Sequence, residues 1–245
     1  MKTWQKLALL ILIPAAMLAF GIWRITVARN QPVAVPQRNQ EPAITQDETV
    51  MPRKLYIDSL QSARVLVGKP VWMKTGYEFD YFPYRANRVN FAYSSGVLAS
   101  VQRLDIRQVI TQKVPDSLAS RIPHGSRQIF AVFTLPGDPQ EYATAIGYLQ
   151  GSDATLFCDQ LFYYDDPHQL YNFWSANVWK AIDQHRPIVG MNELQTSMAV
   201  GVIQQSESSN IGNRTVDYVA GPLTWRVTFE DDKATAVQQL PPAKP

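Results

Sequence analysis

Apolar residues are arranged in four different ways along this chain, and each arrangement predicts a different kind of structure. Residues 7–23 form one stretch without a charge, preceded by Lys2 and Lys6 and followed by Arg24 and Arg29. Seventeen such residues wound as a helix reach about 25 Å, the short end of what crosses a bilayer. Trp4 and Trp23 stand where interfacial aromatic residues sit, and Pro14 is tolerated in lipid. The stretch predicts a transmembrane anchor, with a signal peptide cleaved near Ala19-Phe20-Gly21 as the competing reading. The anchor reading makes this a single-pass inner-membrane protein with residues 30–245 on the periplasmic or extracytoplasmic side.

Residues 30–53 carry Pro32, Pro36, Pro42 and Pro52, several glutamines and no aromatic residue, which predicts a linker unable to offset its own ordering entropy. From 71 to 164 the pattern becomes short alternating or apolar runs: 71–74, 77–84, 88–93, 96–109, 128–135, 141–148 and 155–164. Turn residues at Ser94-Ser95-Gly96, Pro136-Gly137-Asp138-Pro139 and Gly151-Ser152-Asp153 separate them. Six or seven strands without intervening helices predict a small antiparallel barrel or sandwich. A short lead-in helix at 59–66 and a surface loop at 114–127 complete this part.

After Tyr164 the period lengthens. Asp166 and Pro167 form a helix start, and Leu170, Phe173, Trp174, Val178 and Ile182 put one apolar stripe on a helix that Pro187 ends. A second helix starts at the cap Asn192, turns Met198 inward and stops at Gly201. Runs at 214–220, 223–229 and 234–239 then predict a sheet under both helices. The expected fold class is α+β. Its parts are an anchor or signal segment at 1–29, a linker at 30–53, a β-rich barrel or sandwich at 54–164, two helices plus a three-stranded antiparallel sheet at 165–240, and a tail at 241–245.

Charge changes the picture in one respect. The formal net charge of +2 hides an uneven distribution: residues 1–54 hold seven Lys/Arg against three Asp/Glu, leaving sixteen against eighteen, or −2, for the rest. A mildly acidic body without a basic stripe argues against nucleic-acid binding, which requires displacement of counterions by a positive surface. The single Cys158 forbids an intramolecular disulfide and, lying in an apolar run, reads as a buried thiol.

Catalytic motifs are missing. The chain has no Gly-x-Ser-x-Gly elbow, His-Glu-x-x-His helix, phosphate-binding glycine loop or paired-cysteine zinc site. His124, His168 and His185 are too scattered to make a metal site by spacing, and Asp165-Asp166 is explained by helix capping. No cofactor, metal ligand or catalytic residue is therefore assigned. Asn213-Arg214-Thr215 matches a glycosylation acceptor and receives no role.

The residues at 188–195, Ile-Val-Gly-Met-Asn-Glu-Leu-Gln, followed by Met198 and Gly201, Val216 to Tyr218, Val227 to Phe229 and Asp231-Asp232-Lys233-Ala234, resemble the SmpA/OmlA family. The resemblance covers about residues 166–240 and implies a BamE-like module of two helices on three strands that binds partners rather than performing chemistry. The chain departs from that family in having no lipidation cysteine, in Ile203 where proline is usual, and in the preceding β-rich part. Gly68-Lys69-Pro70-Val71-Trp72 gives that part a looser resemblance to a bacterial SH3-like barrel.

One feature suggests a ligand surface. Tyr77, Phe79 and Tyr81 alternate onto one strand face, Phe82 and Tyr84 fall on the other, and Phe91 and Tyr93 follow. Either these rings fill the core and a domain junction, or Tyr77, Tyr81, Tyr84 and Tyr93 line a groove for an extended or proline-rich peptide. The resulting functional expectation is a membrane-tethered cell-envelope protein acting as a noncatalytic interaction or assembly module. Its partner would be another envelope protein or a peptide segment. An envelope hydrolase of unfamiliar type and a structural spacer are the alternatives.

Overall fold

The computed structural model describes residues 23–24, 46–115 and 127–241. The chain divides into Met1–Thr45 and Gln46–Pro245, and the account below concerns the second part. The segment expected to cross a membrane falls, up to residue 22, outside the described residues. Among the described residues no helix is long and apolar enough to cross a membrane. The longest whole helices have eight residues, about 12 Å against a hydrocarbon core of about 30 Å. The expectation of a transmembrane helix, and with it the single-pass inner-membrane placement, is corrected accordingly.

Two antiparallel sheets organise this part. The first has nine strands. Its main path runs β3 (Arg88–Val89), β2 (Asp80–Arg85), β7 (Asp138–Gln150), β6 (Arg127–Leu135), β5 (Arg103–Gln112), β1 (Pro70–Met73) and β9 (Phe162–Tyr163). β4 (Gly96–Val97) adds to β2 and β8 (Asp153–Leu156) to β7. β6 reads as a continuous apolar run because both of its faces are covered: Ile129, Ala131 and Phe133 enter one core, and Phe130 and Val132 another.

β1 and β9 serve two cores at once. Val71 and Met73 point into the core of the first sheet, joined by Phe162, Leu104, Ile106 and Leu161. Trp72 and its cross-strand partner Tyr163 point the other way, into the core of the C-terminal lobe. The helix α3 (Cys158–Leu161) between β8 and β9 holds Asp159, whose carboxylate accepts from the Leu55 N–H at 3.0 Å, the Tyr56 N–H at 2.9 Å and the Tyr164 hydroxyl at 2.7 Å. That carboxylate fastens residues 55–56 to the first sheet, Tyr56 with a left-handed φ of 50°.

The C-terminal sheet has four strands in the order β10 (Gln204–Gln205), β11 (Thr215–Ala220), β12 (Leu223–Glu230) and β13 (Lys233–Leu240). Val216, Tyr218, Trp225, Val227 and Phe229 face inward against α5 (Ala176–Asp183) and α6 (Glu193–Val200). α6 starts at Asn192, which forms a capping box with Gln195, and stops at Gly201 with φ of 90°.

The α+β expectation of a two-helix BamE-like unit after a transmembrane helix is also corrected. The described chain is mostly antiparallel sheet, with thirteen strands and only short helices. The single helix expected between 165 and 187 is broken into α4 (Pro167–Leu170) and α5, because Tyr171 leaves helical geometry and Ser175 starts a new cap on the Val178 N–H. The break lets Tyr171 stack on Trp174 at 4.4 Å, with the Trp179 ring tilted against Trp174 at 5.3 Å. The fourth strand of the second sheet, β10, is a pair of glutamines that no apolar pattern marks.

Residues 46–53, read from sequence as linker, supply contacts to this body. Asp47, in the short helix α1 (Gln46–Thr49), accepts from Trp174 Nε1 at 2.6 Å and from the Asn192 side-chain amide. Arg53 pairs with Asp165 at 2.9 Å.

The lobes touch through very small residues. A Cβ on Gly201 would lie 2.7 Å from the Gly76 carbonyl oxygen and 2.8 Å from the Tyr77 ring, while Gly151, also left-handed with φ of 62°, has open space around it. Gly151→Ala carries only the conformational strain, about 1 kcal/mol. Gly201→Ala adds overpacking of roughly 1–3 kcal/mol, so its chemical-denaturation midpoint should fall distinctly further; equal losses would mean that the lobes part without cost. A second expected outcome concerns acid. Burial raises the Asp159 pKa, but the Leu55 N–H, the Tyr164 hydroxyl and the Tyr56 N–H outweigh it and hold the carboxyl below its ordinary value. Its stabilising contribution is complete above the unfolded value of about 3.9 and is lost as pH falls through the lower folded value. Asp159→Asn should flatten this acid limb in urea midpoints measured below about pH 4.

Candidate functional site

A groove lies on the outer side of the first sheet, between two hairpin tips. One wall is the β6–β7 hairpin, where Leu135 pairs with Asp138 around Pro136-Gly137. Gly137 has φ of 78°, as the third position of a turn led by proline requires. The other wall is the end of β2 at Tyr84 and Arg85, held by the two-residue turn Ala86-Asn87, whose φ values of 50° and 61° are those of a tight hairpin. Asp105, Arg107 and Thr134 form the floor, and the groove encloses about 1060 Å³. Arg107 sits where the β5–β6 register shifts, between Ile106 and Gln108, so the irregularity aims a charged side chain at the groove.

Hydrogen bonds hold several polar groups here. Arg107 donates through Nε and Nη2 to Thr134 Oγ1 at 3.3 and 3.2 Å. Asp105 accepts from Arg103 at 3.0 and 2.9 Å. Asp138 accepts from the Gln140 N–H at 2.9 Å and from the Tyr142 hydroxyl at 2.8 Å. Those two donors hold the Asp138 carboxyl below its ordinary value, the backbone N–H contributing most. The same bond, helped by burial, pushes the Tyr142 phenol up to about 12. Arg85 and Glu141 line the same groove.

Three of the four tyrosines singled out in the sequence lie near this region. Tyr84 lines the groove, is buried, and donates to Gln108 Oε1 at 3.4 Å. Tyr81 is half-buried and meets Tyr142 edge-on at 5.0 Å. Tyr93 stays exposed. Tyr77 is elsewhere: it wedges between the lobes beside Gly201 and Gly221 and meets His185 edge-on at 6.2 Å. Sequence reasoning missed Arg85, Asp105, Arg107, Asp138 and Glu141. The available signal was the adjacent polar pair Arg107-Gln108, where the alternation set by Leu104 and Ile106 breaks off.

The remaining candidate chemistry is dispersed. His124 lies outside the described residues. His168 stacks on Trp179 at 4.0 Å with its ring nitrogens 3.0 Å from Asp166 and 3.1 Å from Asp183, joining α4 to the end of α5. Burial pushes the Cys158 thiol up to about 12, which suits packing rather than nucleophilic attack. Lys74 donates to the Asp159 carbonyl at 2.7 Å and lies over the Tyr163 ring; burial lowers its pKa. Among the described residues no three His, Cys, Asp or Glu side chains gather as a metal site. No family model, curated protein or solved structure matches the chain.

The Asp138–Tyr142 bond has a titration signature. Ultraviolet phenolate absorbance of the wild type, less that of Tyr142→Phe, should show one phenol ionising at about 12. Asp138→Asn should bring that phenol back toward the ordinary value of about 10. Because the folded value is raised, the stability it represents is complete below about pH 10 and lost as pH rises through the folded value. An unmoved titration in Asp138→Asn would remove the bond from the account.

Proposed function

We propose that this chain is a noncatalytic protein–protein interaction module whose groove between the two hairpin tips receives an extended segment of a partner protein. What supports this reading is the groove itself. Its walls are tight turns and its floor is sheet, and it is broad and open to solvent, as a surface that receives an extended segment must be. Arg107, Asp105 and Asp138, which face it, make hydrogen bonds within the protein, and the groups here form no relay from nucleophile to base. Such a lining orients a polar chain by hydrogen bonds and leaves no group poised to attack it. Buried Tyr84 and half-buried Tyr81 serve as the apolar backing of the groove, so any contribution they make to binding comes through its shape.

Selection from a displayed random-peptide library on the full-length chain tests the reading. Peptides should be recovered that lose about tenfold or more in affinity on Arg107→Ala or Glu141→Ala, with thermal unfolding of both variants unchanged. A library that yields no binder sensitive to either substitution would refute the groove as a partner site.

A further inference from the structure

Among the described residues, the second sheet ends on a strand whose outer edge is covered along only half its length. Phe229 donates its N–H to the Arg214 carbonyl at 2.8 Å, so the odd-numbered residues of β12 turn their backbone groups toward β11. The even-numbered residues then face β13, where Thr228 pairs with Ala236, Arg226 with Gln238 and Thr224 with Leu240. By the alternation of an antiparallel ladder, Val237 and Gln239 turn their N–H and C=O groups outward. Ala234 also faces outward and is covered: its N–H donates to the Met191 carbonyl at 2.7 Å and its carbonyl accepts from the Gly190 N–H at 2.8 Å. Beyond it β13 is the last strand of the sheet among the described residues.

Beyond the bulge opposite Thr228 and Phe229, the exposed half carries no protection of its own. Residues 234–240 read Ala-Thr-Ala-Val-Gln-Gln-Leu, without charge, proline or glycine, and only Lys233 and Pro241 bound them. Edges that stay single carry inward charges, lysines or prolines along the open stretch. We propose that this edge pairs with the same edge of a second copy of the chain, antiparallel and centred on Gln238, joining the two C-terminal sheets into one.

The register follows from the outward groups. With Gln238 on the two-fold axis, Val237 and the second copy's Gln239 exchange both backbone hydrogen bonds, and Ala236 faces the second copy's Leu240. Like charges do not meet, because Lys233 lies beyond the second copy's Pro241. The two Gln238 side chains stand side by side on the exposed face and can exchange amide hydrogen bonds. With no charge in residues 234–240, this two-fold register sets no like charges against each other, which suits a second copy.

Cysteine cross-linking of the full-length chain tests this directly, since Cys158 is buried. Gln238 would form a pair without direct backbone bonds, with Cα atoms about 4.5 Å apart, within disulfide range. Under mild oxidation Gln238→Cys should give a covalent dimer on nonreducing gels. Ala236→Cys and Leu240→Cys should each stay monomeric alone and cross-link when mixed. Adding Gln239→Pro to Gln238→Cys removes an outward N–H without touching the bonds to β12 and should abolish the dimer. Circular dichroism confirms the fold of each variant. A folded Gln238→Cys variant that remains monomeric overturns the proposal, and so does equal self-cross-linking at 236, 238 and 240, which would mean random collision.

Discussion

Two short strands, β1 and β9, belong to one sheet by their hydrogen bonds and to two cores by their side chains. Val71, Met73 and Phe162 close the first core, while Trp72 and Tyr163 open the second. This follows from the two-residue period of a strand, and it makes register the governing constraint. A slip of one residue would exchange every side chain between the cores. The hydrogen bonds from Met73 to Gln102, Val101 to Met73 and Lys74 to Leu161 hold that register beyond the end of β1.

The close join between the lobes depends on that wall. Once Trp72 and Tyr163 enter the C-terminal core, the chain just after β1 must pass against the end of α6. Gly76 and Gly201 provide the space, and Tyr77 fills the remainder beside Gly221. Asp47 then ties the aromatic stack of Trp174 to the cap of α6 at Asn192. A carboxylate placed there satisfies an indole N–H that would otherwise be costly to bury.

The groove arises where the outer covering of the first sheet ends. Phe82, Phe91, Val89 and Val114 cover Phe130 and Val132 on that face. Toward the hairpin tips the covering gives way to Thr134, Arg107 and Asp138. The same strands that need apolar shielding in their middles can carry polar groups at their ends, since water reaches there. That gradient gives a rigid floor with hydrogen-bonding groups, the property on which the proposed partner binding rests.

Much of the local structure was legible in the sequence because it depends on neighbours along the chain. The hairpin at Pro136-Gly137, the cap at Asn192, the stop at Gly201 and the strands of the last hairpins are set by turn chemistry and by alternation. The break between α4 and α5 was not legible, because the stripe of Leu170, Phe173, Trp174, Val178 and Ile182 keeps helical spacing across it, while Tyr171 and Trp179, which meet Trp174 there, lie off the stripe. β10 was hidden because a strand of two glutamines gains its place only from its pairing with Tyr218 and Asp217. Likewise, alternation placed Tyr77 and Tyr81 on one face but could not say that one would wedge between lobes while the other packed near the groove. By itself the sequence determined where the chain turns and which residues seek burial. Which core each strand face enters, and where polar groups from β2, β5, β6 and β7 meet, only the tertiary structure decided, because those groups are distant in sequence and are brought together by strand register.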